Sequence, residues 1–157
     1  MTYSIQHMVE SIATMLSGQF SSIPVYASPN QQGTEYPCFF VFLMPSEFTD
    51  EIDSIGKRSL SFDVVYVQER NIANAYEDIH GVADTLDELF DMVQYSDFVP
   101  DETTKQPVFV PLHTHERAYS IEDQELHYKF RVSQRVSTPV EHNYMKTEET
   151  NVEIKRD

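Results

Sequence analysis

The sequence predicts an α+β domain in which two helices pack on one face of a mostly antiparallel sheet of four to five strands. Two segments carry apolar side chains at helical spacing, and two pairs of consecutive strand-like runs read as β-hairpins. The order is helix, short strand, hairpin, helix, hairpin and tail. The 157 residues suffice for one domain that buries roughly 70% of its extended surface.

The first element is an amphipathic helix over residues 5–20, and Gly18 either ends it or lies inside its last turn. Residues 23–26 then read as a short edge strand, because Pro24 cannot donate to a ladder on both sides. Residues 28–35 are a loop. The apolar positions of the helix are Ile5, Met8, Val9, Ile12, Leu16 and Phe20.

The first hairpin contains the most apolar strand of the chain. Its arms are predicted at residues 37–44 and 59–68, joined by an acidic loop over residues 45–56. The first arm has nonpolar side chains on both faces, which is typical of a strand covered on both sides. One face can pack on a helix. We expect the other face to be covered by something outside this single domain.

The acidic loop carries four carboxylates, from Glu47, Asp50, Glu51 and Asp53. It is either a solvated hairpin tip or a protein-contact loop, since loops on a rigid scaffold often carry recognition. The spacing does not follow the twelve-residue calcium loop and lacks its central glycine, which argues against a metal site.

The second helix is predicted over residues 71–93, with Asn71 as its N-cap and a length of about 33 Å. Gly81 lies in the middle of this helix and is interpreted as tolerated there, although glycine lowers helix stability by up to about 1 kcal/mol relative to alanine. Residues 94–107 have no period and form a loop. One continuous apolar stripe defines the helix: Ile72, Ala75, Tyr76, Ile79, Val82, Ala83, Leu86, Leu89, Phe90 and Val93.

A second hairpin is predicted with arms at residues 112–121 and 125–135, turning at residues 122–124, after a strand-like run at 108–112. Its second arm alternates between apolar and polar side chains, which gathers Lys129, Arg131 and Arg135 on one face. This basic strand face is either a patch for a partner or, as we favour, paired across strands with Glu116 and its neighbours. Residues 1–135 are therefore the domain, and residues 136–157 are a flexible or partner-ordered extension.

Charge and composition exclude several classes of function. The formal charge of −15 argues against specific binding to a nucleic-acid backbone. No run of eighteen apolar residues is present to span a membrane, and the N-terminus lacks a secretory pattern, so we expect assembly in a cytoplasm. The single cysteine, Cys38, allows no intrachain disulfide and reads as a core thiol.

Catalytic motifs are not found in the sequence. The four glycines are too far apart for a phosphate-binding loop, and no nucleophile elbow occurs. The best remaining cluster, His113, His115, Glu116 and His127, lacks a third metal ligand fixed by local spacing. We therefore expect no enzyme activity, no cofactor and no metal, with a small metal-dependent hydrolase on these histidines as the alternative from a different class.

The chain resembles bacteriophage tail terminator (tail completion) proteins over about residues 5–135. The similarity lies in an apolar and aromatic pattern and its order. It comprises residues 23–26, the run Tyr-Pro-Cys-Phe-Phe at 36–40, the run Ser-Phe-Asp-Val-Val-Tyr at 61–66, the helix at 76–93 and the closing strand at 127–132.

The resemblance implies a virion protein that assembles as a homohexameric ring. The ring would cap the tail tube, end tube polymerisation and provide the surface for joining to the head or neck. Implied partners are copies of itself, the tail tube protein, a neck or head-completion protein and, in a contractile tail, the sheath protein. A neck or head-completion connector subunit and a monomeric regulatory binding protein are the alternatives. The predicted contact residues are Glu47, Asp50, Glu51, Asp53, Lys129, Arg131 and Arg135.

Overall fold

The computed structural model describes residues 3–27, 33–52 and 54–137. Residues 138–157, most of the predicted C-terminal extension, lie outside the described ranges, as does Asp53. The element order is α1 (Ile5–Gln19), β1 (Val25–Tyr26), β2 (Cys38–Asp50), β3 (Ile55–Val67), α2 (Ala75–Leu89), β4 (Met92–Tyr95), β5 (Val110–Glu122) and β6 (Glu125–Ser137).

The six strands found in the described ranges form one sheet in the order β1-β2-β3-β6-β5-β4. Only β1 and β2 are parallel, and every other neighbouring pair is antiparallel. The α+β class with two helices is confirmed, but the sheet is mixed and has six strands rather than four to five. The extra strand, β4, was not predicted because its residue Val93 continues the apolar stripe of the preceding helix.

Helix α1 begins at the N-cap Ser4, whose side chain accepts a hydrogen bond from the His7 amide at 3.3 Å. The helix ends at Gln19, so Gly18 lies inside its last turn. Ser11, buried on this helix, donates to the Ser96 carbonyl and accepts from the Ser96 amide, at 3.3 and 3.0 Å. These bonds fasten α1 to the chain just after β4.

Helix α2 is shorter than predicted, with fifteen residues and a length of about 22 Å. The predicted N-cap Asn71 is wrong: the N-cap is Asn74, and both asparagines have positive φ angles of 58° and 56°. Asparagine tolerates this left-handed conformation, so residues 71–74 form a turn instead of helix.

Two tyrosines of the sheet bind carboxylates of α2. The Tyr66 hydroxyl donates to Asp78 at 2.8 Å, and the Tyr128 hydroxyl donates to Asp87 at 2.6 Å. Burial, and then these hydrogen bonds, raise the pKa of both tyrosines. The helix therefore lies against β3 and β6 at two points about 13 Å apart along its axis.

The predicted acidic loop over residues 45–56 is wrong, because most of it is paired strand. Strands β2 and β3 have thirteen residues each, and their register continues to Asp50 opposite Gly56. The register shifts between Met44 and Glu47. There the Ser46 hydroxyl accepts a hydrogen bond from the Ser61 amide at 3.2 Å. The shift is a β-bulge, and the Ser46 side chain takes the place of a backbone carbonyl as the acceptor between the two strands.

The second hairpin turns at Asp123 and Gln124, within the predicted residues 122–124. Both have positive φ angles, of 51° and 62°, as a tight two-residue hairpin turn requires. Strand β6 lies in the middle of the sheet between β3 and β5. Its alternation is as predicted, with four side chains fully or almost fully buried: Leu126, Tyr128, Phe130 and Val132.

One hydrophobic core lies between the two helices and one face of the sheet, which we call the helix face. It joins residues of α1 such as Ile12 and Leu16 to residues of α2 such as Leu86, together with Phe62 and Phe130 from the strands. The opposite face, which we call the open face, carries the alternate residues of the same strands. No helix of the described residues contributes to it.

Candidate functional site

The open face begins with an aromatic strip on β2. Phe40 and Phe42 stack with ring centroids 5.8 Å apart, and Tyr26 lies 5.6 Å from Phe40. Both phenylalanines are only partly buried, whereas Phe39 and Val41 on the helix face are almost fully buried. The strand with apolar residues on both faces is thus covered completely on one side only.

A carboxylate–histidine–carboxylate chain lies beside this aromatic strip. The His127 Nδ1 is 2.9 Å from Asp63 Oδ2, and its Nε2 is 3.4 Å from Glu125 Oε1. Asp63 is 6% exposed, and its other oxygen has no hydrogen-bond partner among the described residues. A buried carboxylate is costly unless it is paired, so the contact with His127 stabilises the centre of the open face.

The acidic and basic residues predicted for contacts lie next to each other within one chain. Arg131 is 3.6 Å from Glu47 and 4.0 Å from Glu116, and Arg135 is 3.4 Å from Glu51. The favoured cross-strand pairing with Glu116 is therefore present. Side chains in these pairs are exposed by 28–73%, and ion pairs this exposed contribute about 1 kcal/mol or less.

The remaining predicted contact residues are less closely grouped. Lys129 is exposed and lies opposite Asp63 and Ala118 in the register. Asp50 is exposed but pairs with Gly56, which places it on the other side of the strand from Glu47. Asp53 lies outside the described residues. The structure thus brings two of the four carboxylates into ion pairs with the basic strand face.

Sequence reasoning missed the exposed apolar side chains at the end of the first hairpin. We define the arm as residues 45–58, the distal part of β2 and β3 with their connection. Phe48, Ile52 and Ile55 are 44%, 78% and 40% exposed there. The sequence could have indicated these side chains, because Phe48, Ile52 and Ile55 are interspersed among the carboxylates of a segment that was predicted to be exposed to solvent.

A second exposed apolar cluster lies in the loop of residues 96–109. Val99, Val108 and Phe109 are 61%, 53% and 44% exposed. Val99 and Val108 line a groove together with Tyr95 and Val110. Residues 94–107 were predicted as a loop, but Gln94 and Tyr95 belong to β4. Because residues 94–107 show no helical or strand period, the sequence did not indicate which apolar side chains of this loop would be exposed.

Hydrogen bonds within this loop brace its backbone. The Asp101 carboxylate accepts from the amides of Thr104 and Thr103 at 3.0 and 2.9 Å, and these bonds lower its pKa. The Asp101 amide donates to the Gln106 carbonyl at 2.8 Å. The exposed apolar residues are therefore displayed on a defined surface.

The histidines of the alternative metal site do not converge. His115 pairs with Arg131 and His127 lies four residues before Arg131 on β6, so the two are separated by about 13 Å. His127 already contacts two carboxylates, and His115 lies 3.1 Å from the Ser133 hydroxyl. Among the described ranges, no group of three or more His, Cys, Asp or Glu side chains is arranged to hold a metal ion.

Cys38 is fully buried, as a core thiol is expected to be. Burial, reinforced by the carboxylate of Glu125, raises the pKa of the thiol from 9.0 to about 11. A nucleophilic cysteine requires the opposite shift. Neither helix in the described part of the chain is long and apolar enough to cross a membrane.

Comparison with known proteins agrees with the resemblance seen in the sequence. A family model described as "Phage tail terminator protein" matches residues 7–144, which covers both helices from His7 onward and all six strands. No curated protein matches the chain. The chain therefore belongs to the phage tail terminator family and has a structural role in completing the phage tail.

Proposed function

We propose that the protein forms a homohexameric ring that caps the tail tube, ends tube polymerisation and provides the surface to which the head or neck joins. The family match over residues 7–144 carries this proposal, because it extends over the whole α+β domain and not over a local motif.

The surface of the single chain supports an assembly of identical subunits. Phe40 and Phe42 on the open face are only partly buried, and the arm and the loop of residues 96–109 expose further large apolar side chains. Exposed apolar surface of this kind marks sites of protein contact. A closed ring covers such surfaces in every copy without open-ended growth.

The charge of the chain suits a ring with a central bore. A formal charge of −15 repels phosphates, so DNA passes through or rests in such a bore without adhering to its wall. The mechanism needs no bond to be made or broken. The ring binds the last ring of the tube with one face, and its other face does not accept a further tube subunit.

The contact residues that we propose are those of the acidic segment and the basic strand face: Glu47, Asp50, Glu51, Asp53, Lys129, Arg131 and Arg135. The pairs of Arg131 with Glu47 and of Arg135 with Glu51 are exposed and weak. Such pairs can exchange partners with a neighbouring subunit at little cost. Proposed partners of the ring are the tail tube protein, a neck or head-completion protein and, in a contractile tail, the sheath protein.

The test combines native mass spectrometry and negative-stain imaging of the purified protein, alone and mixed with tail tubes. We expect hexamers, rings in projection and density at one end of each tube. A phage lacking the protein should make tubes of uncontrolled length that do not join heads. A protein that stays monomeric both alone and on tubes contradicts the proposal. Rings that bind the head-side connector but not the tube favour the neck or head-completion alternative.

A further inference from the structure

We propose that the chain turns back after β6 and that residues 140–144 add a further strand to the sheet, antiparallel to residues 133–137 of β6. In this register Asn143 lies directly opposite Gln134, and the two side-chain amides bind each other. The inference goes beyond the proposed function and does not depend on a ring. It names the partner of the last part of β6.

One edge of β6 has no partner strand over residues 133–137. Strand β3 pairs with β6 along its whole length, up to Ser137. Strand β5 pairs with β6 only as far as Thr114 opposite Val132, and the preceding residues 110–113 pair with β4. The end of β6 is therefore an open sheet edge within the described part of the chain.

The backbone groups on this edge can be assigned to particular residues. Alternate residues of an antiparallel strand direct their N–H and C=O groups to the same neighbouring strand. Glu125 pairs with Glu122 across the tight hairpin turn, so it and every second residue after it bond toward β5. Ser133, Arg135 and Ser137 therefore direct these groups to the open edge, where an added strand can bind them.

A buried amide beside this edge also has no partner. The Gln134 side chain is 8% exposed, yet neither its Nε2 nor its Oε1 has a hydrogen-bond partner among the described residues. Gln134 alternates with Val132 and Val136 and so lies on the helix face. Buried polar groups are almost always hydrogen-bonded, so we expect a donor and an acceptor to reach Gln134 from outside the described ranges.

The sequence after β6 fits both the open edge and the amide. Pro139 has no N–H and cannot continue the ladder, and a proline at the third position of a four-residue turn is typical of a type VI turn. A turn at this proline sets residues 140–144 one for one beside residues 133–137. Asn143 then faces Gln134, and its carboxamide offers both a donor and an acceptor.

The spacing across such a pair suits two amides. Side chains directly opposite each other on antiparallel strands have Cβ atoms about 5 Å apart and share one face of the sheet. Asn143 can therefore donate to the Gln134 Oε1 and accept from its Nε2. One residue supplies both of the missing partners.

The family match supports the added strand independently. It covers residues 7–144, so it continues past the end of β6 at Ser137. The proposed strand thus falls within the sequence that the family model describes, and residues 145–157 fall outside it. The domain then ends at Tyr144, beyond the boundary predicted at residue 135.

The occupant is a segment of the same chain, because the segment is tethered next to the edge. A connection of only residues 138–139 keeps it at a high local concentration, which a segment of another copy does not have. Covering the edge also removes a template for unregulated pairing between copies.

Hydrogen exchange of the full chain, followed by NMR at single amides, tests the strand. The N–H groups of Val140 and His142 point to β6, and those of Glu141 and Asn143 point away. After correction for intrinsic rates, we expect the His142 amide to exchange about tenfold or more slowly than both of its neighbours. Exchange of residues 140–144 at the rates of an unstructured peptide, in a chain that circular dichroism shows to be folded, overturns the proposal.

A pair of matched variants tests the contact between the amides. Asn143→Ala removes the proposed partner of Gln134 and should raise the exchange rate of the His142 amide about tenfold. Asn151→Ala makes the same change outside the family match and should leave that rate unchanged. Equal rates in the two variants would mean that the amides do not bind each other.

A disulfide distinguishes the chain's own segment from that of a neighbouring copy. Gln134→Cys with Asn143→Cys places two thiols at opposite positions, within the Cα separation that a disulfide requires. In an oxidised one-to-one mixture of isotope-labelled and unlabelled protein, we expect each cross-link to join peptides with the same label. Cross-links between labelled and unlabelled peptides, or none in the folded variant, overturn the proposal. Gln134→Cys with Asn151→Cys is the control and should cross-link far less.

These measurements separate the strand from the proposed ring. A monomeric protein with a protected His142 amide contradicts the ring and supports the strand. Rings in which residues 140–144 exchange freely support the ring and overturn the strand.

Discussion

Cys38, Tyr66 and Tyr128 are the buried groups whose ionisation the fold opposes. The pKa of the thiol rises to about 11 through burial and the charge of Glu125, and burial is also the main cause of the raised pKa of both tyrosines. In each case the neutral form is the one that the folded chain accommodates. Stability therefore depends on pH in the alkaline range.

We expect these three groups to leave the free energy of unfolding unchanged up to about pH 9 and to lower it above that pH. The folded thiol has a pKa above its ordinary value of 9.0, so its contribution is complete below pH 9 and is lost as the pH rises to about 11. The tyrosines add to this loss above their ordinary value of 10.0. Urea unfolding at pH 8, 9, 10 and 10.5 measures the effect.

Cys38→Ala is the control for the thiol. It should lower stability at pH 8, because it removes a buried side chain, but its stability should fall less between pH 9 and 10 than that of the parent protein. Identical slopes for both proteins in that range would show that the thiol is not responsible. A stability that rises above pH 9 would contradict the direction of all three shifts.

At the scale of elements, the packing of the arm depends on Gly56, which has no side chain. The Phe48 ring lies over Gly56, and a methyl group at Gly56 would meet the ring inside contact distance. Gly56→Ala should therefore displace the ring and lower the free energy of unfolding by about 1–2 kcal/mol. Thermal or urea unfolding measures this loss.

Gly81→Ala is the matched control for that substitution. A methyl group at Gly81 in α2 meets nothing within 4 Å, so this change should stabilise the helix by up to about 1 kcal/mol. The double variant Phe48→Ala with Gly56→Ala should cost less than the sum of its single changes, because the clash is gone. Strict additivity would indicate that the ring and the glycine do not interact.

At the scale of the whole molecule, the charges of the open face should influence assembly. Arg131→Glu places a third carboxylate near Glu47 and Glu116, which are both 66% exposed. We expect it to weaken the ring more at low salt than at high salt, because salt screens the repulsion between exposed charges. Light scattering at about 20 and 500 mM salt measures the difference.

Arg70→Glu is the control, since it makes the same change of charge at an exposed position after β3, at the other end of the strand from the arm. Its ring should respond little at either salt concentration. Equal effects of Arg131→Glu and Arg70→Glu would mean that net charge alone is responsible. An Arg131→Glu ring with no dependence on salt would count against the proposed contact role of this residue.

Local patterns in the sequence were sufficient to predict the class of fold and most of its elements. Helical spacing located α1 and the centre of α2, and alternation on β6 assigned Tyr128 and Phe130 to the core. These predictions succeeded because each depends on the spacing of apolar residues within one short segment, which needs no knowledge of the tertiary structure. The resemblance to tail terminators, later confirmed by the family match, also came from this ordered pattern.

Only the tertiary structure decided where elements end and which surfaces come together. The end of α2 and the strand β4 share one apolar stripe, so the change from helix to strand at Leu89–Met92 depends on pairing with β5. The arm became strand because β2 and β3 pair with each other as far as Asp50 opposite Gly56, and because β6, far along the chain, pairs with the same part of β3. The meeting of Glu47 with Arg131 follows from strand order, which no local period encodes.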